Sequence, residues 1–234
     1  MVVAAFVAPY LMEATARFVS AAAELPDVRL GLVTSEPVER IPPDLRRRLA
    51  GHWRVDDALD PRQLAWAVTG LAGQMGRVER LVGALEQLQV PLAQVRESLG
   101  IDGMDVRTAR NVRDKSQMKE TLQAAGIPCA RHALVRSPGA ATAFADEVGF
   151  PLVAKPPAGA GAQSTFRLDD GAMLRGWLAA VPVGGDSPAL LEEFLTGEEH
   201  TFDSVTLGGT TVWSSIADYR PPPLEVLRNP WIQW

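Results

Sequence analysis

Apolar and polar positions follow two different periods along the first part of the chain. Val2–Val7 is a short apolar run that ends before Pro9, as expected of a buried strand. Residues 11–24 carry apolar side chains at helical spacing, and residues 30–34 form a second apolar run. A strand, a helix and a strand in this order predict a parallel pair with a right-handed crossover.

Capping signals define further helices. Asp60 and Ser137 each precede a proline, a pairing typical of a helix start, and Gly100 is a typical helix end. A helix is predicted over residues 85–99, and Pro91 is expected to kink it or split it in two. The proline-rich segment 36–44 is predicted to be a loop, and residues 78–82 to be another strand.

From about residue 105 the pattern predicts a second group of elements. A polar helix over residues 114–125 stops at Gly126, and Gly208–Gly209 predicts a hairpin between strands at 201–207 and 210–216. The fold class is therefore α/β: an open, mostly parallel sheet, then a small α+β lobe and the start of an antiparallel lobe. The remaining strands are predicted at 131–136, 150–155, 165–168 and 190–195, and the remaining helices at 137–147 and 169–180.

Composition excludes several classes of protein. The 234 residues are 47% hydrophobic, which excludes wholesale disorder, and the net charge of −5 offers no basic excess for nucleic acid or an anionic membrane. Cys129 is the single cysteine, so no intrachain disulfide forms. The first residues make a poor signal peptide, and no run reaches the ~18 apolar residues of a membrane helix. A cytoplasmic protein is expected.

Four segments carry the chemistry expected of a phosphate site. Lys115 opens a helix, Lys155 ends an apolar strand, and a loop of small residues follows it; charged donors and close backbone approach suit a triphosphate. A strand edge followed by carboxylates, residues 191–199, suits a base and a ribose. The pattern is not a P-loop, because no lysine follows Gly161. The loop comprises Gly159, Ala160, Gly161, Ala162, Gln163 and Ser164.

The order and spacing of these segments resemble the ATP-grasp superfamily, in its carboxylate–amine ligase and biotin-carboxylase-like branch. The specific motifs cover about residues 105–220, among them the segment from Asp114–Lys115 to Pro128 and the Ala154–Lys155–Pro156 strand end. The resemblance implies three domains: a pre-ATP-grasp, Rossmann-like domain over 1–105, a small lobe with the phosphate loop over 106–190, and an incomplete C-terminal lobe over 191–234.

The resemblance also implies roles for individual residues. Lys115 and Lys155 would contact the nucleotide phosphates, and the loop 159–164 would fold over them. Glu192 would bind the adenine amino group, with Glu193 and Phe194 on the same strand. Leu195 would contact the base through its backbone, and Glu199 would receive the ribose hydroxyls.

The metal ligands of the family have no counterpart here. The resemblance implies magnesium held by acidic residues well beyond Glu199, and no matching pair follows in this chain. The chain is therefore expected to be truncated, with its catalytic residues beyond Trp234 and no metal ligands of its own.

The function implied is the ATP-binding part of a ligase that activates a carboxylate as an acyl phosphate for attack by an amine or similar nucleophile. ATP and magnesium would be the cofactors, the partners would be small-molecule substrates, and a homo-oligomer is compatible with the sequence. The chain alone is expected to be inactive.

Two alternatives stay open. The missing metal ligands also suit a non-catalytic nucleotide-binding module. The strand–helix–strand opening suits a Rossmann-type dinucleotide-binding domain, although no GxGxxG follows the first strand.

Overall fold

The computed structural model describes residues 1–159, 164–222, 225–226, 229 and 231. The chain divides into two compact units, residues 1–118 and 119–234. The first unit contains β1 (Val2–Val7), α1 (Glu13–Ala23), β2 (Val28–Thr34), α2 (Pro43–Arg48), β3 (Gly51–Arg54), α3 (Pro61–Met75), β4 (Arg80–Val82), α4 (Gln89–Leu99) and α5 (Val106–Arg113). Helix α6 (Lys115–Ala124) contains the division between the units.

The first unit is built on a four-stranded sheet in the order β3-β2-β1-β4, in which all neighbours are parallel. The predicted open parallel sheet is confirmed. Alternate side chains of β1 enter two cores: Ala5 and Val7 pack with residues of α3 and α4, and Ala4 and Phe6 pack with residues of α1 and α2. Both faces of the sheet are covered by helices, as parallel sheets require.

Three expectations for this unit need correction. The predicted loop 36–44 contains a 3-10 turn, Val38–Arg40, and α2 already begins at Pro43. Strand β3 was not predicted. The helix expected over 85–99 does divide, but ahead of Pro91, into a 3-10 turn Glu86–Leu88 and α4. Pro91 is the third residue of α4, where its missing N–H has no intrahelical partner to lose, so it does not kink the helix.

The predicted helix ends are confirmed. The Asp60 carboxylate accepts a hydrogen bond from the Arg62 amide at 2.9 Å, and the Ser137 hydroxyl accepts one from the Ala140 amide at 3.2 Å. Gly100 ends α4 in the left-handed region at a φ of 61°.

The second unit is built on an antiparallel sheet with strand order β5-β8-β6-β7 and a separate two-stranded hairpin. Gly208 and Gly209 form the hairpin turn with positive φ, as predicted. No helix in the described part of the chain is long and apolar enough to cross a membrane. The elements are β5 (His132–Val135), α7 (Pro138–Val148), β6 (Leu152–Lys155), β7 (Phe166–Leu168), α8 (Gly171–Ala180), β8 (Ala189–Glu193), β9 (His200–Leu207) and β10 (Thr210–Asp218).

The two faces of the antiparallel sheet differ in chemistry. Leu152, Ala154 and Leu191 face α7 and α8 and form the core with them. The other face carries Val153 and Glu192, which lie opposite each other in neighbouring strands. Since directly paired residues share a face, Lys155 and Glu192 lie on this second face together with the buried Leu190, whereas Glu193, opposite Leu152, lies on the first.

The end of β8 differs from the prediction. The strand was expected to run to Leu195 but ends at Glu193, so Phe194 lies beyond it, although the Phe194 amide still donates to the Pro151 carbonyl at 3.1 Å. Strand β8 also extends past residue 190, where one domain limit is predicted. The limits at 105 and 190 stay predictions.

Two glycines of α3 predict opposite effects of the same substitution. A Cβ on Gly70 would lie 2.2 Å from the Trp53 ring, which packs edge-on against Trp66, whereas a Cβ on Gly73 would meet nothing within 4 Å. We expect Gly73→Ala to stabilise the protein by ~0.5–1 kcal/mol through helix propensity. Gly70→Ala should destabilise it by ~1–3 kcal/mol through overpacking.

Urea unfolding of the two variants and the parent chain measures both effects. Stabilisation by Gly70→Ala would contradict the packing of Trp53 on α3.

Candidate functional site

Three charged side chains of the second unit form a compact ion cluster. Lys155, the last residue of β6, places Nζ 2.7 Å from Oε2 of Glu192 in the neighbouring strand β8. Lys119 of α6 places Nζ 3.3 Å from Oε1 of the same carboxylate. The side chains of Lys119, Glu192 and Lys155 are 11%, 9% and 21% exposed. We call these three residues the ion cluster.

Strand pairing explains why Lys155 and Glu192 meet. Glu192 lies opposite Val153, and Lys155 follows Val153 by two residues, so all three side chains point to the same face. That face lies opposite the apolar core formed with α7 and α8. The ammonium of Lys155 therefore cannot enter the core and instead reaches the carboxylate on its own face.

One oxygen of Glu192 is left without a hydrogen bond. Oε1 is buried and accepts no hydrogen bond of normal geometry in the described part of the chain, although the Lys119 ammonium lies within ion-pair distance. A separation of 3.3 Å makes a hydrogen bond only when the donor is aligned with the acceptor, so this ion pair leaves Oε1 an unsatisfied acceptor. A buried acceptor in this state is costly, and an amino group would satisfy it.

The residues predicted to bind phosphate are spread over both units. Lys115 is the first residue of α6 and belongs to the first unit, while Lys155 belongs to the second. Gly159 is half-buried, and Ser164 is exposed with a φ of 56°. Ala160, Gly161, Ala162 and Gln163 lie outside the described residues.

Glu193 is held by Arg131 rather than left to solvent. The Arg131 amide and Nε each donate to the Glu193 carboxylate at 2.8 Å. These hydrogen bonds, the backbone one first, lower the pKa of Glu193. Its side chain therefore fixes the end of β8 against the residue before β5.

The remaining predicted base and ribose contacts follow β8. Phe194 is half-buried, with the Arg167 guanidinium carbon 4.2 Å from its ring centre. Leu195 is 65% exposed. Glu199 is exposed immediately before β9, and its backbone carbonyl accepts from the Tyr219 amide at 3.0 Å. The structure thus brings Lys155 and Glu192 into contact, while Leu195 and Glu199 remain open to solvent.

A cavity of about 390 Å³ adjoins Lys155 in the second unit. Its volume lies within the range of small-molecule sites. The cavity is lined by Lys155, Pro156, Ser164, Phe166, Trp177, Val181, Pro182, Ser187, Pro188 and Ala189.

Lys119 and Arg167 lie at the candidate site but were not predicted from the sequence. The chain has only three lysines, at 115, 119 and 155, against 20 arginines. Restriction of lysine to these segments, with 115 and 119 one helical turn apart, is a signal that could have pointed to Lys119. Arg167 lies opposite Val153 and so shares the face of Glu192, which only the strand register reveals.

Comparison with known proteins bears on this geometry. No family model matches the chain. It is 26% identical over 188 residues to an L-arginine-specific L-amino acid ligase of Bacillus subtilis, covering 76% of this chain and 45% of that protein. The structure of an L-amino acid ligase from Bacillus licheniformis superposes with a TM-score of 0.70 at 17% identity, covering 90% of this chain and 48% of that one.

A third similarity is to the biotin carboxylase domain of 2-oxoglutarate carboxylase from Hydrogenobacter thermophilus, with a TM-score of 0.66 and 21% identity over 85% of this chain and 46% of that one. The chain shares the ATP-grasp fold. The resemblance predicted from its motifs is confirmed at the level of the fold. The chain spans about half the length of the relatives it matches.

An ATP-grasp fold implies two bound groups, a nucleotide and magnesium. The described residues fit the first of them. The unsatisfied Oε1 of Glu192 fits the amino group of adenine, and Lys155 lies at the strand end beside it. Magnesium is not accommodated in the same way, since among the described residues no three His, Cys, Asp or Glu side chains are grouped to hold a metal ion.

Removal of the single carboxylate of the ion cluster should strongly destabilise the protein. Glu192→Gln leaves two shielded ammoniums side by side, and we expect the free energy of unfolding to fall by ~3 kcal/mol. The matched variant Glu13→Gln breaks the exposed pair with Arg17 and should cost less than ~1 kcal/mol. Thermal and urea unfolding measure both variants. Equal effects would show that burial of the ion cluster has no energetic consequence.

Proposed function

We propose that this chain is the ATP-binding part of an ATP-dependent ligase that joins a small-molecule carboxylate to an amine or similar nucleophile. The observation that carries the proposal is the buried Glu192 carboxylate, whose Oε1 accepts no hydrogen bond from the described residues while Oε2 is held by Lys155. This side chain offers an acceptor to the adenine amino group on the same sheet face as a lysine that can contact phosphate.

Charge on this face supports the proposal. The ion cluster has two ammoniums and one carboxylate, so it has one formal positive charge in excess, and the Arg167 guanidinium lies on the same face. Nucleotide phosphates are negative and favour such surroundings. A purine base would meet Glu192 and the strand end at Phe194 and Leu195, and the phosphates would meet Lys155 and the loop 159–164.

The names of the similar proteins support the same function. The curated relative is an L-amino acid ligase specific for L-arginine. The biotin carboxylase domain was solved with MgADP, ADP and bicarbonate. We therefore propose ATP and magnesium as the cofactors of the whole protein, with magnesium held by residues other than those described.

The reaction we propose has two steps. A carboxylate oxygen of the substrate attacks the γ-phosphorus of ATP, and the bond from that phosphorus to the β–γ bridging oxygen breaks, which yields an acyl phosphate and ADP. The nitrogen of an amine then attacks the acyl carbon, and inorganic phosphate leaves as the amine loses a proton. The contribution of this chain is to bind the nucleotide and orient its phosphates.

The two substrates in this proposal, the carboxylate and the nucleophile, are small molecules. A homo-oligomer also belongs to the proposal, since the related biotin carboxylase domain is a dimer. Sedimentation of the chain at several concentrations tests that part independently of nucleotide binding.

Calorimetric titration with ATP, in the presence and absence of magnesium, tests the proposal. Lys155→Ala should weaken ATP binding by about ten- to a hundredfold, because it removes a charge-assisted hydrogen bond worth ~1.5–3 kcal/mol. Arg175→Ala is the matched control, because this exposed residue lies on α8, which packs on the opposite face of the sheet. It should bind ATP as the parent chain does.

Three results would contradict the proposal. Unchanged affinity in Lys155→Ala would place the nucleotide elsewhere. Binding of NAD but not ATP would favour the dinucleotide-binding alternative. Since the chain alone is expected to be inactive, catalysis is tested on the whole protein: if it binds ATP but forms no ADP when supplied with carboxylates, amines and magnesium, a non-catalytic nucleotide-binding module is favoured.

A further inference from the structure

The Lys119 side chain contributes only its charge to the function proposed above, yet it contacts the central carboxylate of the site. Its ammonium lies 3.3 Å from Oε1 of Glu192, the oxygen to which no described residue donates a hydrogen bond, and only 11% of the side chain is exposed. Sequestering a lysine amine from water is costly unless it is paired. The pairing with Glu192 supplies that compensation within the second unit.

The arrangement gives each lysine a different oxygen of the same carboxylate. Lys155 holds Oε2 at hydrogen-bond distance, whereas Lys119 approaches Oε1 without a hydrogen bond of normal geometry. Oε1 thus keeps acceptor capacity while its negative charge is balanced. A direct hydrogen bond from Lys119 would use part of that capacity.

Nucleotide binding would change the balance of charge in the ion cluster. The proposed function assigns Lys155 to a phosphate, which competes with Glu192 for the same ammonium. Without Lys119, the only cation paired with Glu192 among the described residues would be Lys155, which would then also bind the phosphate. The Glu192 side chain is only 9% exposed, so water could not replace the lost partner. A buried carboxylate with an inadequate partner is unstable in its position.

We propose that Lys119 is a positioning residue for purine recognition, which acts by holding the Glu192 carboxylate in place so that Oε1 accepts from the 6-amino group of the base. Lys119 balances the charge of Glu192 while Lys155 binds phosphate. This inference rests on the proposed function, because it requires that the chain binds ATP through Glu192.

Lys155 and Lys119 should therefore affect nucleotide affinity in different ways. Loss of Lys155 removes a phosphate contact, so it weakens all purine nucleoside triphosphates alike. Loss of Lys119 disturbs the carboxylate that reads the base, so it weakens a nucleotide that has the 6-amino group more than one that lacks it. The ratio of the two affinities distinguishes positioning from general stabilisation of the fold.

The test compares ATP with purine riboside 5′-triphosphate, which has hydrogen in place of the 6-amino group. The parent chain should bind ATP at least about tenfold more tightly, as expected for a hydrogen bond to a charged acceptor. Lys119→Met should reduce this ratio to about threefold or less. Arg175→Met removes one positive charge from α8 on the other side of the sheet and should leave the ratio unchanged.

A double variant shows whether Lys119 acts through Glu192. In a Glu192→Gln background, adding Lys119→Met should not change the ratio of the affinities for ATP and purine riboside 5′-triphosphate. The carboxylate that Lys119 positions is already absent there. Circular dichroism verifies that the variants are folded. If Lys119→Met does not fold, Lys119→Gln, which keeps a donor but removes the charge, takes its place with the same expected loss of the ratio.

The outcomes separate failure of this inference from failure of the proposed function. If the parent chain prefers ATP and the Lys119 variant weakens both nucleotides equally, Lys119 is only structural and the inference is overturned. If the parent binds both nucleotides equally, Glu192 does not read the amino group, and the inference is again overturned while triphosphate binding stands. If the parent binds neither nucleotide, the proposed function fails and this inference fails with it.

Discussion

The site depends on one carboxylate that the fold removes from water between two ammoniums. Glu192 lies in β8, an inner strand of its sheet, and contacts Lys155 of β6 and Lys119 of α6. Three separate elements must reach their positions before the charge of Glu192 is compensated. A buried ion pair contributes little net stability compared with apolar packing, but loss of one partner is costly. The ion cluster therefore constrains geometry more than it stabilises the fold.

The rest of the second unit is arranged around this constraint. One face of the sheet packs its apolar side chains against α7 and α8, whereas Lys155 and Glu192 lie on the other face. Arg131 fixes the end of β8 through Glu193, and the Arg167 guanidinium lies over Phe194 just beyond it. The strand end that would meet a base is thus held by side chains on both sides, while Leu195 stays exposed.

Much of the fold follows from local sequence signals, whereas the site depends on long-range pairing. Caps at Asp60 and Ser137 depend on neighbouring residues and were predicted correctly. Strand β3 was missed because Gly51–Arg54 has no apolar run and is only partly buried. Lys155 and Glu192 were predicted as site residues from motif resemblance, and their mutual contact depends on the register of β6 with β8. Lys119 could be assigned only once α6 and that strand had been placed together.

Hydrogen–deuterium exchange of the chain with and without ATP tests most directly whether the nucleotide binds at the face of the ion cluster. We expect ATP to slow exchange in peptides covering residues 152–155 and 189–195, which carry Lys155, Glu192 and Leu195. Peptides from α8, on the opposite face, should change little. Protection confined to residues 1–105, or to α8, would contradict nucleotide binding at this face.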